Sequence, residues 1–134
     1  MNVRFSHCVF LSAMAIAALA SCSSKSDDNP VGTTVVDDKN VSFRSTIKPI
    51  FQSNGCLNCH GSNGGLDLET AAGVLSGGDH GPAVVPGDAD RSTLIRKVSS
   101  SPPFGDRMPV DGPHVKDHDV ELLRAWILQG AKDN

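Results

Sequence analysis

Tyrosine is absent from this 134-residue chain, and aromatic residues make up only 4% of it. Basic residues do not outnumber acidic ones, since the chain has 12 Lys and Arg and 15 Asp and Glu. Binding to nucleic acid needs a basic patch, so that class of function has no support. The chain has four cysteines. Two of them, Cys8 and Cys22, lie in the N-terminal segment, which leaves too few for a disulfide framework.

The N-terminal segment has the pattern of an export signal. "MNVRFSHCVFLSAMAIAALASC" carries one positive charge, Arg4, followed by an apolar run that ends in small residues. The run is too short to span a bilayer comfortably, which favours a cleaved signal over a membrane helix. Its end, Leu19-Ala20-Ser21-Cys22, resembles the lipobox of bacterial lipoproteins and predicts lipidation of Cys22. The alternative is an ordinary signal peptide with a chance cysteine at its end.

The chain therefore divides into three predicted parts. Residues 1–21 are the signal peptide, and residues 22–40 are a polar, acidic and flexible tether. Residues 41–134 have the size of one small domain. The mature chain keeps 11 of the 12 Lys and Arg and all 15 Asp and Glu, for a formal charge of −4. The apolar content of the domain is modest, and small domains of this kind usually need a metal or a bulky cofactor.

Four short helices are predicted in this domain, over residues 46–54, 69–75, 89–98 and 117–130. Asp88 is the expected N-cap of the third helix, and Trp126 lies on the apolar stripe of the fourth. Strand signals are weak, and no internal repeat is evident. The sequence therefore predicts an all-α domain with long loops rich in Gly and Pro.

The segment "GCLNCHG" places Cys56, Cys59 and His60 within five residues. Structural zinc needs four ligands and usually a second such pair, although His80, His114 or His118 could complete a set. A redox disulfide would stand after a strand in a βαβ unit, which is not evident here. C-x-x-C-H is the attachment signature for c-type haem, in which two thiols form thioethers and the histidine binds the iron. Export supports this third interpretation, since such attachment takes place outside the cytoplasm.

A second axial ligand for the iron is predicted at Met108, the only methionine that remains after the signal is removed. It lies in "DRMPVDGP", a loop before the last helix, where two prolines stiffen the chain. Met also fills gaps in cores, which is its ordinary structural role. His80, His114 and His118 are rival ligands, and His114 is the nearest of them in sequence.

Most of residues 43–134 resemble class I cytochromes c. The segments "CLNCHG", "GLDL", "GGDHGPAVVPGDADRSTLIRKV", "RMPVDGP" and "LLRAWILQGA" look most similar to the planctomycete-type cytochrome c domain. The resemblance implies a cytochrome c-like fold around one covalent haem c, with thioethers to Cys56 and Cys59 and iron ligation by His60 and Met108. It also implies that the first and last helices pack against each other. The sequence departs from the family pattern at Met108-Pro109-Val110, where Met-Pro-Pro is typical.

We therefore expect an electron carrier rather than an enzyme, exported and attached to a membrane by the lipid on Cys22. Its expected partners are redox proteins that bind transiently. An oxidoreductase complex could be one of them. Ser23 favours an outer membrane, whereas Asp27-Asp28 resembles a surface-export signal, so the expected location is the periplasmic face of a membrane or the cell surface. The first alternative is a haem enzyme or gas sensor with a labile sixth ligand, for which His80 is the distal candidate. The second is a CxxC interaction module without haem.

Overall fold

The computed structural model describes residues 38–61 and 63–134. The predicted signal peptide, Cys22 and nearly all of the predicted tether lie outside those residues. The described part contains four α-helices and no strand: α1 is Lys48–Ser53, α2 is Ala71–Ser76, α3 is Thr93–Val98 and α4 is Asp117–Leu128. A π-helical turn, Phe43–Ile47, leads into α1, and short 3₁₀ turns lie at Asp38–Asn40, Cys56–Asn58 and Asn63–Gly65. The predicted all-α class with four short helices is confirmed.

The core forms where the first helical stretch meets α4. The ring of Phe43 lies 5.5 Å from that of Trp126 and 6.5 Å from that of Phe51, measured between centroids. Trp126 and Ile127 are fully buried, and each buried side chain of this size contributes roughly 1.5–3 kcal/mol. The indole Nε1–H of Trp126 donates to the carbonyl of Lys132 at 2.9 Å, so its polar atom is satisfied. The expected packing of the first helical stretch against the last helix is therefore made mainly by the π-helical turn that leads into α1.

Hydrogen bonds join the start of the domain to residues beyond α4. Ser42 Oγ donates to the Asn134 carbonyl at 2.6 Å, and the Arg44 amide donates to the same carbonyl at 3.1 Å. The Val41 amide donates to Gln129 Oε1 at 2.9 Å. Ser42 also caps the π-helical turn, because its Oγ accepts the amide of Ser45. The start of the domain is thus fastened to the residues that follow the C-terminal end of α4.

Helix α3 begins at Thr93, four residues later than predicted, and Asp88 does not cap it. The Asp88 carboxylate instead accepts the backbone N–H and the side-chain Nε–H of Arg91, within a tight turn that precedes the helix. The buried Ser92 hydroxyl donates to the Asp88 carbonyl and accepts the amide of Val85. The local turn chemistry of Asp and Ser therefore competes successfully with helix formation here.

Two glycine-rich loops meet backbone to backbone. The Asp79 amide donates to the Gly64 carbonyl at 2.8 Å, and a Cβ added at Gly78 would lie 2.5 Å from that carbonyl oxygen. Such an approach is possible only without a side chain. This backbone contact, the seam between the two loops, fixes the turn around residues 78–81 against the segment that follows the C-x-x-C-H motif.

In the described ranges, no helix has the length and apolar character that crossing a bilayer requires.

Candidate haem-binding site

The C-x-x-C-H segment is coiled tightly where α1 ends. Gly55 adopts a left-handed conformation (φ 69°), which glycine reaches without steric cost, and the 3₁₀ turn Cys56–Asn58 follows. The amides of Cys59 and His60 both donate to the Cys56 carbonyl, at 3.3 and 2.9 Å. This winding brings both thiols and the imidazole to the wall of one cavity.

The imidazole of His60 has a defined hydrogen bond. Its Nδ1 lies 3.1 Å from the backbone carbonyl oxygen of Asn63. A carbonyl only accepts, so Nδ1 is the donor in this hydrogen bond, and the neutral ring then has its lone pair on Nε2. Metal-ligating histidines commonly donate their other ring N–H to a carbonyl in this way, which fixes the tautomer and the ring orientation. His60 is therefore prepared to ligate a metal through Nε2.

The two thiols differ in environment. Cys56 is partly buried and Cys59 is exposed, and both are free. Burial raises the pKa of the Cys56 thiol; a backbone hydrogen bond opposes this shift, and the neighbouring Cys59 adds to it. Both residues line the same cavity, so a single flat group within it could be bonded to both sulfurs.

Met108 belongs to a loop that is tied to the end of α3. The Met108 amide donates to the Lys97 carbonyl at 2.8 Å, and Arg107 Nε donates to the Val98 carbonyl at 2.7 Å. The ammonium of Lys97 donates to the carbonyls of Phe104 and Asp106, at 2.8 and 2.5 Å. Four hydrogen bonds thus hold the segment from Phe104 to Met108 against the end of α3. The Met108–Pro109 peptide bond is cis.

One cavity of about 600 Å³ gathers the predicted site residues. Cys56, Cys59, His60 and Met108 all line it, although Met108 is far from the other three in sequence. His80 also lines the cavity, whereas His114 and His118 do not. Within residues 38–61 and 63–134, no three His, Cys, Asp or Glu side chains form a metal-binding group. The zinc alternative therefore has no ligand set in this part of the chain.

The cavity wall fits haem c in size and in chemistry. The volume of the cavity lies within the ~300–1,000 Å³ of typical small-molecule sites. Two thiols suit thioether bonds, and a nitrogen and a thioether sulfur suit iron. The remaining lining is largely apolar, as a macrocycle requires, and includes Ile50, Phe51, Leu68, Leu94, Val98 and Leu123.

Sequence reasoning missed three contributors to this site. The Asn63 carbonyl, the aromatic ring of Phe104 and the side chain of Lys97 each contact or support a site residue. A main-chain carbonyl carries no side-chain signal, and a lysine in the last turn of a helix is ordinary in sequence. No sequence pattern distinguishes these residues, because their roles depend on the course of the loops.

Fold and cavity together are those of a small all-α domain with a largely apolar pocket for a cofactor. Residues 56–112 match the family model described as Planctomycete cytochrome C, so the predicted resemblance is confirmed over that segment. The match implies covalently bound haem c and haem-based electron transfer. No match was found among curated proteins or among solved structures.

Proposed function

We propose that this protein is a membrane-tethered monohaem cytochrome c that carries single electrons between redox partners, with His60 and Met108 as the axial ligands. The observation that carries the proposal is the convergence of Cys56, Cys59, His60 and Met108 on one apolar cavity. Bound haem c supplies the one-electron iron couple. In this function the protein transfers electrons and neither makes nor breaks a bond in a substrate.

The residues of the chain have separate tasks in this function. The thiols of Cys56 and Cys59 would hold the macrocycle covalently, and the hydrogen bond from His60 Nδ1 to the Asn63 carbonyl would leave Nε2 to bind the iron. Met108 presents a soft sulfur from a loop that four hydrogen bonds hold in place. Soft thioether ligation and an apolar surrounding both favour the reduced state, which raises the reduction potential.

The tether and the location belong to the same proposal and depend on the N-terminal sequence. Lipid on Cys22 anchors the protein to a membrane, and residues 22–40 give the domain reach from it. The outer membrane is the favoured site, at its periplasmic face or at the cell surface. Redox partners would dock in small, transient contacts. Phe104 and Val110 are apolar, exposed and part of the cavity wall, so they are candidates for such contacts.

The test is the absorption and mass spectrum of the protein matured in a haem-attaching host. We expect one haem mass added to the chain, retention of haem through acid–acetone extraction, and a low-spin spectrum in both oxidation states. Haem that is removed by extraction would contradict covalent attachment to Cys56 and Cys59.

A second candidate function is a haem enzyme or gas sensor with a labile sixth ligand. One observation favours it, namely that the predicted distal candidate His80 lines the same cavity. The four hydrogen bonds around Met108 weigh against it, since they oppose withdrawal of that ligand. A high-spin spectrum and rapid binding of CO by the wild-type protein would favour this second candidate.

A further inference from the structure

The ammonium of Lys97 lies at the wall of the haem-binding cavity, and its charge has no carboxylate beside it. Lys97 is half-buried in the last turn of α3 and lines the cavity. Its Nζ donates to the carbonyls of Phe104 and Asp106 and lies 4.7 Å from the centroid of the Phe104 ring. The ion pairs found in the described residues involve other cations. An ammonium has three donors, and the two carbonyls use two of them.

Backbone carbonyls satisfy hydrogen bonds without neutralising a charge. The Lys97 side chain is only partly buried, so its ammonium keeps an uncompensated charge that attracts an anion close to it. Asp111 is the one carboxylate residue among the described residues of the cavity wall, and it is exposed and outside ion-pair distance of Lys97. The remaining donor and the positive charge of Lys97 are therefore available to an anion that lies in the cavity.

Haem carries two propionate carboxylates on one edge of an otherwise apolar macrocycle. Most of the wall could not receive them, because it consists of apolar side chains. His80 also lines the cavity, and its ring lies 4.2 Å from that of Phe104. Lys97 is the one Lys or Arg among the described residues of the wall, so the region around Lys97 and Phe104 is where a carboxylate would meet a positive charge.

We propose that Lys97 pairs with a propionate carboxylate of the bound haem and thereby couples the cofactor to the loop that carries Met108. The inference rests on the proposed function, since it requires haem in this cavity. Lys97 is a positioning residue for Met108: its ammonium holds the carbonyls of Phe104 and Asp106, and its own carbonyl accepts the Met108 amide. A propionate that holds the ammonium in place therefore also holds the loop to which the ammonium donates.

The test compares Lys97→Gln with Arg96→Gln in the mature holoprotein. Arg96 is the adjacent residue on α3, is exposed and does not line the cavity, so its variant removes the same charge without touching the proposed site. We expect Lys97→Gln to shift the propionate bending band in the resonance Raman spectrum, to weaken the far-red Met–iron band of the oxidised form, and to lower the reduction potential. Arg96→Gln should leave both bands at their wild-type positions and change the potential less.

Lys97→Arg provides a second variant that keeps the positive charge. Its planar guanidinium presents a different set of donors, so it should shift the propionate band while restoring most of the potential. If Lys97→Gln does not mature, a wild-type propionate band in Lys97→Arg overturns the proposal. Equal effects of Lys97→Gln and Arg96→Gln overturn it as well. A wild-type protein without covalent haem refutes the proposed function itself, whereas covalent low-spin haem with an unresponsive propionate band refutes the Lys97 pairing alone.

Discussion

Replacement of Met108 by alanine tests the proposed iron ligation most directly. The hydrogen bonds that hold the Met108 loop use backbone atoms and the side chains of Lys97 and Arg107. The thioether takes part in none of them. Met108→Ala should therefore remove the sulfur while the loop stays in place, and the covalent haem should remain attached through Cys56 and Cys59.

The size of the effect follows from burial and from ligand chemistry. Met108 is half-buried, so the lost packing is about half of that for a fully buried methionine, roughly 1–2 kcal/mol. For a domain of this size this corresponds to a fall in Tm of about 5–15 °C. The potential should fall by at least ~60 mV, which for one electron is a tenfold change in the preference for the reduced iron. The loss of a soft ligand has this sign because a thioether favours Fe(II) over Fe(III).

The assay is absorption spectroscopy of the oxidised and reduced protein, combined with a redox titration. We expect Met108→Ala to lose the far-red Met–iron band and to bind CO or cyanide more readily than wild type, whereas Met108→His stays low-spin at a lower potential. The vacated position should take water or His80, which lines the cavity, rather than His114, which does not. The double variant with His80→Ala distinguishes these two outcomes. An unchanged spin state and potential in Met108→Ala, with no far-red band in the wild type, would refute ligation by Met108.

Three further predictions concern attachment, anchoring and the seam between the glycine-rich loops. Cys56→Ala with Cys59→Ala should yield mostly apo-protein with weak circular dichroism, because the small core loses its largest apolar component; a well-folded double variant would refute haem attachment. Cys22→Ser should abolish lipidation and leave the haem spectrum unchanged, and variant protein that still sediments with salt-washed membranes would contradict the lipobox. Gly78→Ala should lower the Tm through a clash worth about 1–3 kcal/mol, since its Cβ would lie 2.5 Å from a facing carbonyl oxygen. Gly61→Ala is the matched control, because a Cβ there meets nothing within 4 Å, and equal melting of both variants would refute the role of the seam.

Sequence alone predicted the elements whose signals are local. The spacing of Cys56, Cys59 and His60 favoured covalent haem c over zinc or a redox disulfide. The apolar stripe of α4 predicted that Trp126 lies in the core, where it is fully buried. The start of α3 was predicted incorrectly, because Asp88 and Ser92 stabilise a turn where helix propensity alone would continue the helix. A capping residue and a turn residue have the same chemistry, so the sequence does not distinguish them.

The parts of the site that could not be predicted depend on contacts between distant segments. Lys97 supports Met108 only because the loop from 104 to 108 folds back onto the end of α3. His80 reaches the cavity, while His114, closer to Met108 in sequence, does not. Sequence distance from Met108 therefore did not indicate which histidine lines the cavity, since long loops rather than helices set these positions.

The hydrogen bond from His60 to the Asn63 carbonyl has a consequence for how such a protein can change. Because the acceptor is a main-chain atom, substitution of the Asn63 side chain leaves the acceptor in place, and the basicity of the imidazole is insulated from most mutations nearby. The other proposed ligand, Met108, lies in a loop that is held largely through the side chains of Lys97 and Arg107, and each of these can be exchanged. In the proposed holoprotein one face of the iron is therefore constant, and adjustment of the potential to a new redox partner would proceed through residues on the other face.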